Sequence, residues 1–379
     1  MLFVVFSDDW GEHQSSCQHI FKHIIKNYKV LWVNTIGMRG VKFTKTDLKK
    51  VILKGRKMFA RANRTHSVLS RNTPANLEVI QPFMLPFVTA PSVRKFNAKC
   101  VINAVNKKLK ELGESSPIIV TTVPNACDYV GFLGEKKVVY YCVDDFKEWP
   151  GLKKQMVNEM EENLIAKADC FIATSSKLYD RLKAAGKSVE LLTHGVDLEH
   201  FKELPEREHY LLNEIPKPRV GYFGLFDERS DQELICNIAN GMPNVSFVIT
   251  GDVVIDISKL RKVPNIYFTG SVSYEELPSI VSGWDVCMLP YKINTLSESI
   301  NPLKLKEYIA TGKPICATCL PEVSFYRQSV QVYSTVEEWI EWLDRYFSQL
   351  KHDHFCNIEV ILNESWSGKS EKFLSFTIC

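Results

Sequence analysis

The fold class this sequence predicts is α/β, built as two doubly wound units, each a parallel sheet covered by helices on both faces. Three observations lead there. Apolar runs of strand length alternate with helical patterns along most of the chain, which is the order that parallel crossovers impose. The 379 residues exceed what a single core normally organises. A stretch rich in proline and charge, residues 204–218, precedes a fresh apolar strand at Arg219-Val220-Gly221-Tyr222-Phe223-Gly224, as a linker precedes a second unit.

Taken in order, residues 2–6 form a continuous apolar run that breaks at Ser7-Asp8-Asp9-Trp10-Gly11. Such a run suits a strand buried on both faces. A helix over residues 14–26 and a strand over 30–34 follow; then come a strand at 77–80, an amphipathic helix at 93–112, and strands at 118–122 and 137–142. In the second unit, further strands are expected at 246–250, 266–269, 286–289 and 314–317. Ala168-Asp169-Cys170-Phe171-Ile172-Ala173 and Trp284-Asp285-Val286-Cys287-Met288-Leu289 share one grammar, an aspartate leading into a strand, which fits two similar units. The tail predicts helices at 334–350 and 363–376, the first opened by a capping box of Ser334 and Glu337.

Bulk properties narrow the class. A net charge of +3 is too small to imply a nucleic-acid partner. The eleven cysteines are irregularly spaced, and no C-x-x-C pair with zinc spacing is expected to figure. Cys142, Cys170, Cys287 and Cys316 lie in apolar runs and read as small buried hydrophobes. With no signal peptide ahead of the first strand, a reduced cytoplasmic setting is expected. Apolar runs of strand length predict no transmembrane helix.

The richest stretch is Asn301-Pro302-Leu303-Lys304-Leu305-Lys306-Glu307-Tyr308-Ile309-Ala310-Thr311-Gly312. Pro302 suits a first helical turn and Gly312 a helix stop. The start of this helix offers free N–H groups and a positive dipole end to an anion. Lys304 adds a point charge for a phosphate, and Glu307 can accept two hydroxyl hydrogen bonds from a ribose. By spacing alone the two also fit an ordinary exposed helix pair.

Three other segments carry candidate chemistry. Gly221–Gly224 followed by Leu225-Phe226-Asp227-Glu228-Arg229 ends a strand in glycine, letting backbone approach a pyrophosphate. Arg229 suits a bidentate phosphate clamp, or else pairing with Asp227 or Glu228. Gly251-Asp252 closes the next strand. In the first unit Asp144 and Asp145 stand past the strand at 137–142, and Asp8, Asp9, Trp10 and His13 past the strand at 2–6. Open α/β sheets bind ligands at that edge. An Asp or His there could serve as general base for an acceptor hydroxyl if a transfer inverts configuration, or orient the reacting groups if it retains it, although one Asp can instead cap the helix that follows and His13 can be a plain first-turn residue.

The block at 301–314 resembles the donor-binding segment of glycosyltransferases of the GT-B architecture, especially the family-four-like group. Tyr141-Cys142-Val143-Asp144-Asp145-Phe146-Lys147-Glu148-Trp149 is similar to a "Y-x-x-D-D-x-x-x-W" segment of bacterial surface-polysaccharide enzymes of the exopolysaccharide and teichuronic-acid type. His194-Gly195-Val196-Asp197 is similar to a turn found before the linker in that group. The group brackets its donor site with a Glu, seven residues and a second Glu. The second matches Glu307, whereas the first falls on Ser299, with Glu298 one place early. The group's Arg directly after the glycine is Leu225 here, and Arg229 most nearly matches its later Lys.

The resemblance implies GT-B, two Rossmann-like domains facing across a cleft. Residues 1–203 would form the acceptor domain, 204–218 the linker, 219–360 the donor domain, and 361–379 a helix packing back on the first domain. It implies a nucleotide-sugar donor held at Gly224, Arg229, Gly251, Ser299, Asn301, Lys304 and Glu307. A glycan or lipid-linked acceptor would meet Asp9, His13, Asp144 and Asp145, and the transfer would proceed with retention. Asp144-Asp145 is not an Asp-x-Asp motif, and no metal and no cofactor are expected. A nucleotide-sugar epimerase of the same fold and a non-catalytic sugar-binding partner fit the same residues.

Between residues 39 and 64 ten basic residues, Lys49, Lys50, Lys54, Arg56 and Lys57 among them, face a single acid, Asp47. Interleaved with Val51, Ile52, Leu53, Met58 and Phe59, they form a basic amphipathic stretch suited to peripheral contact with an anionic membrane. A solvated charged face is the ordinary alternative.

Overall fold

The computed structural model describes residues 1–11, 15–34, 74–85, 90–348 and 356–378. The chain divides into two compact units, one of Met1–Leu192 with Lys369–Cys379 and one of Thr193–Gly368.

The first unit is built on β1 (Leu2–Ser7), β2 (Lys29–Asn34), β3 (Leu77–Ile80), β4 (Ile118–Thr121), β5 (Lys137–Cys142), β6 (Cys170–Ala173) and β7 (Val189–Leu191). They pair in the order β3-β2-β1-β4-β5-β6-β7, every pairing parallel. The second unit holds β8 (Arg219–Phe223), β9 (Ser246–Thr250), β10 (Ile266–Gly270), β11 (Val286–Leu289), β12 (Ile315–Thr318) and β13 (Gln331–Tyr333), in the order β10-β9-β8-β11-β12-β13, again parallel. In each sheet the winding direction reverses beside the first strand, between β1 and β4 and between β8 and β11. At such a switch point the connections leave on opposite faces and open a crevice past the carboxyl ends of the strands.

Local sequence explains where the helices begin. The helix Ser16–Ile24 is capped by Ser15, whose hydroxyl accepts from Gln18 N at 3.3 Å. It therefore starts two residues later than the pattern suggested, because a serine hydroxyl satisfies an otherwise orphaned N–H. Pro91–Leu112 opens with proline in its first turn and closes on Gly113 at φ 67°, a left-handed C-terminal turn that glycine adopts without strain. The capping box of Val336–Ser348 is Thr335 with Glu338, one residue beyond the expected Ser334 and Glu337. Glu338 N donates to Thr335 Oγ1 at 3.3 Å, and the Glu338 carboxylate accepts from Ser334 N and Thr335 N at 2.8 and 3.0 Å.

The first boundary differs from the one read at residue 203. Thr193 to Val196 belongs with the second unit because it is bonded there: Val196 N donates to Glu364 O at 2.9 Å, and Lys306 Nζ donates to Thr193 Oγ1 at 3.2 Å and to the His194 carbonyl. The chain rejoins the first unit at Lys369. There Phe373 packs edge-on against Phe21 and Tyr141, with centroids 5.8 and 5.5 Å apart, and Ser370 Oγ donates to Ile20 O at 3.0 Å. Cys142, Cys287 and Cys316 are fully buried, but Cys170 at the start of β6 is half-buried. Cys316 and Cys319 do stand in C-x-x-C spacing, yet Cys316 is locked in the core within β12.

Close packing inside the second sheet yields a stability test. A Cβ on Gly221 in β8 would lie 1.9 Å from Trp284 Cδ2, and Trp284 itself is stacked on Phe223 at 6.2 Å. Gly221→Ala must displace that buried indole, an overpacking cost of about 1–3 kcal/mol. The denaturant midpoint should fall accordingly, and an unchanged midpoint would contradict this packing.

Among the described residues no helix is long and apolar enough to cross a membrane. No group of three His, Cys, Asp or Glu among them is placed to hold a metal ion.

Candidate functional site

The switch point of the second sheet is lined by backbone stripped of side chains. Gly224 follows β8 at φ 117° and Gly251 follows β9 at φ 138°. A Cβ on Gly251 would sit 2.2 Å from Gly224 O, and one on Gly224 would sit 2.0 Å from Lys304 Cε. Glycine is therefore required at both positions, by space and by backbone angle. The Lys304 stem passes over the bare face of Gly224, and its ammonium donates to Tyr291 Oη at 3.4 Å while lying 5.5 Å from the centre of the Tyr222 ring.

Lys304 stands in the first turn of Leu303–Ala310, whose N-cap is Pro302 (φ −72°, ψ 114°) with no side-chain cap bond. Pro302 thus precedes the helix rather than entering it. Leu305 N donates to Pro302 O at 3.1 Å, and the Leu303 and Lys304 N–H groups take no side-chain cap. Glu307, one turn on and partly buried, receives a hydrogen bond from Tyr274 Oη at 3.5 Å. Tyr274 is held by His200, stacked on it at 4.5 Å and bonded through Nε2 to the Tyr274 carbonyl at 2.8 Å. Phe201 meets the same ring edge-on at 5.8 Å. Burial pushes the Glu307 carboxyl up to about 7, with Lys304 and the Tyr274 hydroxyl pulling against it and Asp197 adding to it. A carboxyl so tuned is the kind of group that functional sites collect.

The remaining donor candidates are held by protein partners. Arg229 takes the alternative weighed above: its Nε donates to Asp227 Oδ1 at 2.9 Å and its Nη2 to Oδ2 at 2.7 Å. Asp227 is buried, so the guanidinium charge is neutralised at close range. Asn301 is buried with its Nδ2 donating to Glu322 Oε2 at 2.9 Å, fastening the entrance of the helix. Ser299 is buried and donates to Thr295 O at 3.1 Å. Gly224, Gly251 and Lys304 are thus brought together with Glu307 one turn along the helix, whereas Arg229, Ser299 and Asn301 each bond a protein group.

In the first unit Asp8 is structural. Its carboxylate accepts from Ser7 and Ser15 hydroxyls at 2.7 and 2.8 Å and from Gln18 Nε2, pinning the loop to the helix start. Asp9 and Trp10 follow, both partly buried; Trp10 N donates to Asn34 Oδ1 at 3.0 Å and its ring packs on Trp32 at 4.8 Å. Asp144 and Asp145 follow β5, Asp144 partly buried and Asp145 buried. Asp145 Oδ2 lies 3.6 Å from Lys147 Nζ, and buried Oδ1 has no hydrogen-bond partner among the described residues. Burial raises this carboxyl; Arg181 and Lys147 oppose the rise. Arg181 in turn grips Glu161, which accepts from Tyr140 Oη at 2.6 Å. Neither aspartate caps Lys154–Lys167, whose N-cap is Lys153. His13 and the membrane candidates Lys49, Lys50, Lys54, Arg56 and Lys57 lie outside the described residues.

Three residues escaped sequence reasoning. Tyr291 and Tyr274 reach Lys304 and Glu307 from other segments, and the position of Tyr291 just past β11, beside the switch point, was the signal available for it. Lys306 is 1% exposed and paired with Glu364, which its charge gave no reason to expect.

No protein-family model matches the chain. It is 28% identical over 196 residues to a Bacillus subtilis (strain 168) protein named "Putative teichuronic acid biosynthesis glycosyltransferase TuaH", a match covering 49% of each chain. It is 27% identical over 202 residues to an "Uncharacterized 41.2 kDa protein in cps region" of Klebsiella pneumoniae, covering 49% of this chain and 54% of that one. The chain spans about half the length of the curated relatives it matches. Among solved structures, Anabaena HepE in complex with UDP and glucose superposes with a TM-score of 0.67 over 98% of both chains at 12% identity. Sucrose-phosphate synthase of Thermosynechococcus elongatus gives a TM-score of 0.68 over 99% of this chain and 94% of that one at 13% identity. At such identities the likeness establishes the fold, which is GT-B.

Proposed function

We propose that this chain is a glycosyltransferase that takes a sugar from a nucleoside diphosphate donor and serves bacterial surface-polysaccharide assembly. The observation that carries this reading is the meeting of a lysine, a carboxylate and two bare glycines at the switch point of the second sheet. A pyrophosphate needs close backbone and a cation, which Gly224, Gly251, Lys304 and the uncapped helix start supply. A ribose needs a hydroxyl acceptor one helical turn away, which Glu307 supplies. The UDP and glucose held by HepE and the name of the Bacillus relative support the donor class and the pathway type.

The second unit is the donor domain. The first unit takes the glycan or lipid-linked acceptor at the carboxyl edge of β1, β4 and β5, where Asp9, Trp10, Asp144 and Asp145 stand and which His13 follows in sequence. Lys304 and the helix dipole stabilise the departing diphosphate, so transfer proceeds without a metal, and with retention of configuration. The basic stretch at residues 39–64 holds the protein peripherally on the inner face of the membrane. A nucleotide-sugar epimerase on this fold would release the isomerised sugar still bound to its nucleotide, a product readily told from free diphosphate.

Calorimetry against a panel of nucleoside diphosphates and their sugars tests the reading. Selective binding of one base is expected, and no binding across the panel would sink it. The Glu307 carboxyl gives a second readout. Below about 7 it is protonated and loses one acceptor oxygen; above about 7 it is ionised and accepts fully. Affinity should therefore rise severalfold as pH rises through that value, and Glu307→Gln should remove that part of the pH dependence. An equal slope in the Gln variant would detach Glu307 from the ribose.

A further inference from the structure

We propose that the Tyr291 hydroxyl is a second phosphate ligand of the donor site, donating its hydrogen to an oxygen of the nucleoside diphosphate that Lys304 also holds. The inference rests on the donor-site reading above and adds to it the residue that compensates for two departures in the chain.

The first departure is at position 225. A cation directly after the strand-ending glycine would share the diphosphate charge, but the residue is Leu225, an exposed apolar side chain. The second is Arg229, whose guanidinium is turned to Asp227. Lys304 is left to face a group carrying two or more negative charges, and a further donor is called for at its side.

Tyr291 stands there. It follows β11 and Pro290, on the strand that adjoins β8 across the switch point. Its backbone N–H donates to Thr318 Oγ1 at 3.0 Å, its ring is 2% exposed, and the Arg229 guanidinium lies 5.9 Å from the ring centre. The phenol is thereby fixed, and its oxygen accepts from Lys304 Nζ at 3.4 Å. Among the described residues no acceptor is recorded for the hydroxyl hydrogen. Buried hydroxyls almost always find one, and an oxygen bound to the ammonium lies within reach of the hydroxyl beside it. The bare α-carbon of Gly224 lets the Lys304 stem pass close to the backbone, which sets the ammonium beside this hydroxyl. Although burial alone would raise the phenol, Lys304 and Arg229 draw it below its ordinary value, which makes it a stronger hydrogen-bond donor. No proton is transferred: the hydrogen stays on Tyr291 and the bond tightens as charge collects on the leaving diphosphate.

Tyr291→Phe keeps the ring, the backbone bond to Thr318 and the Arg229 contact, and removes only the hydroxyl. UDP affinity by calorimetry and uridine affinity by NMR titration are compared in the wild-type chain, Tyr291→Phe and Lys304→Met, with melting temperatures as a check on folding. The proposal expects UDP binding about tenfold weaker in Tyr291→Phe, uridine binding unchanged, and a larger UDP loss in Lys304→Met. UDP bound equally by Tyr291→Phe and wild type overturns it, as does an equal loss for UDP and uridine, which would mark a distorted pocket. If Lys304→Met loses UDP while Tyr291→Phe does not, the donor site stands and the Tyr291 assignment falls. If the wild-type chain binds neither UDP nor any other nucleoside diphosphate, the donor-site reading falls and this one with it.

Discussion

Lys306→Met is expected to cost about 3–5 kcal/mol of unfolding free energy, the usual penalty for breaking a buried ion pair from one side. Lys306 is 1% exposed and donates to the Glu364 carboxylate, the His194 carbonyl and Thr193 Oγ1. Glu364 also accepts from Thr193 Oγ1 at 3.1 Å. Methionine matches the stem in volume but leaves a carboxylate facing an apolar wall and a carbonyl without its donor. The Glu364 side chain retains 22% exposure, so water relieves part of the charge and the lower end of the range is expected. Lys306→Met with Glu364→Leu should recover most of the loss, because two apolar groups replace the pair together. Denaturant midpoints for the two single variants and the double variant measure the coupling directly. A Lys306→Met midpoint equal to wild type would mean that the pair contributes nothing. The position gives the test functional interest too. Lys304 and Glu307 share one face of Leu303–Ala310 by their spacing, while Lys306 on the opposite face ties that helix to Thr193, His194 and Glu364, close to where the chain passes between the two units.

Most strands were legible because each is a short apolar run bounded by turn residues, and in a parallel sheet covered on both faces such a run has no competing explanation; the three-residue edge strands β7 and β13, only partly buried, carry no such run and went unread. The six buried residues of β1 and the five of β8 are cases in point. The glycines and Lys304 were legible for a related reason: a strand ending in glycine and a helix opening after Asn-Pro are local signals for local geometry. What could not be read was pairing over distance. Nothing near Arg229 in sequence tells whether it bonds Asp227, and only the structure shows that it does. Lys306 finds its partner 58 residues away, and Asn301 finds Glu322 across a strand. The residues from Thr193 to Val196 look like the end of the first unit until their bonds to Glu364 and Lys306 are seen. Long-range polar pairs carry no periodicity, so a pattern method passes over them.

On the proposed function, Lys304→Ala should have the largest effect on turnover, a fall of about 10²–10³ in the rate of diphosphate release from the donor sugar that the binding panel selects. The argument rests on where charge develops. In the ground state the diphosphate is already anionic, but breaking the glycosidic bond adds a further charge to it, and the cation nearest that oxygen gains most in the transition state. Arg229 is neutralised by Asp227, and the Tyr291 hydroxyl is a dipole rather than a charge, so Lys304 has no substitute close by. Its loss should therefore lower kcat more than it raises KM. Lys304→Arg should remain impaired. The narrow stem runs over Gly224 so closely that a Cβ there would sit 2.0 Å from Cε, and a planar guanidinium set on a shorter stem cannot reproduce that path and still meet Tyr291. Stability should change little, since among the described residues the ammonium makes a single hydrogen bond, to Tyr291, and a ring contact with Tyr222. A Lys304→Ala variant with wild-type kcat and only a raised KM would mean that Lys304 binds the donor without stabilising its departure, and the charge on the leaving group would have to be met by the uncapped N–H groups of Leu303–Ala310 instead.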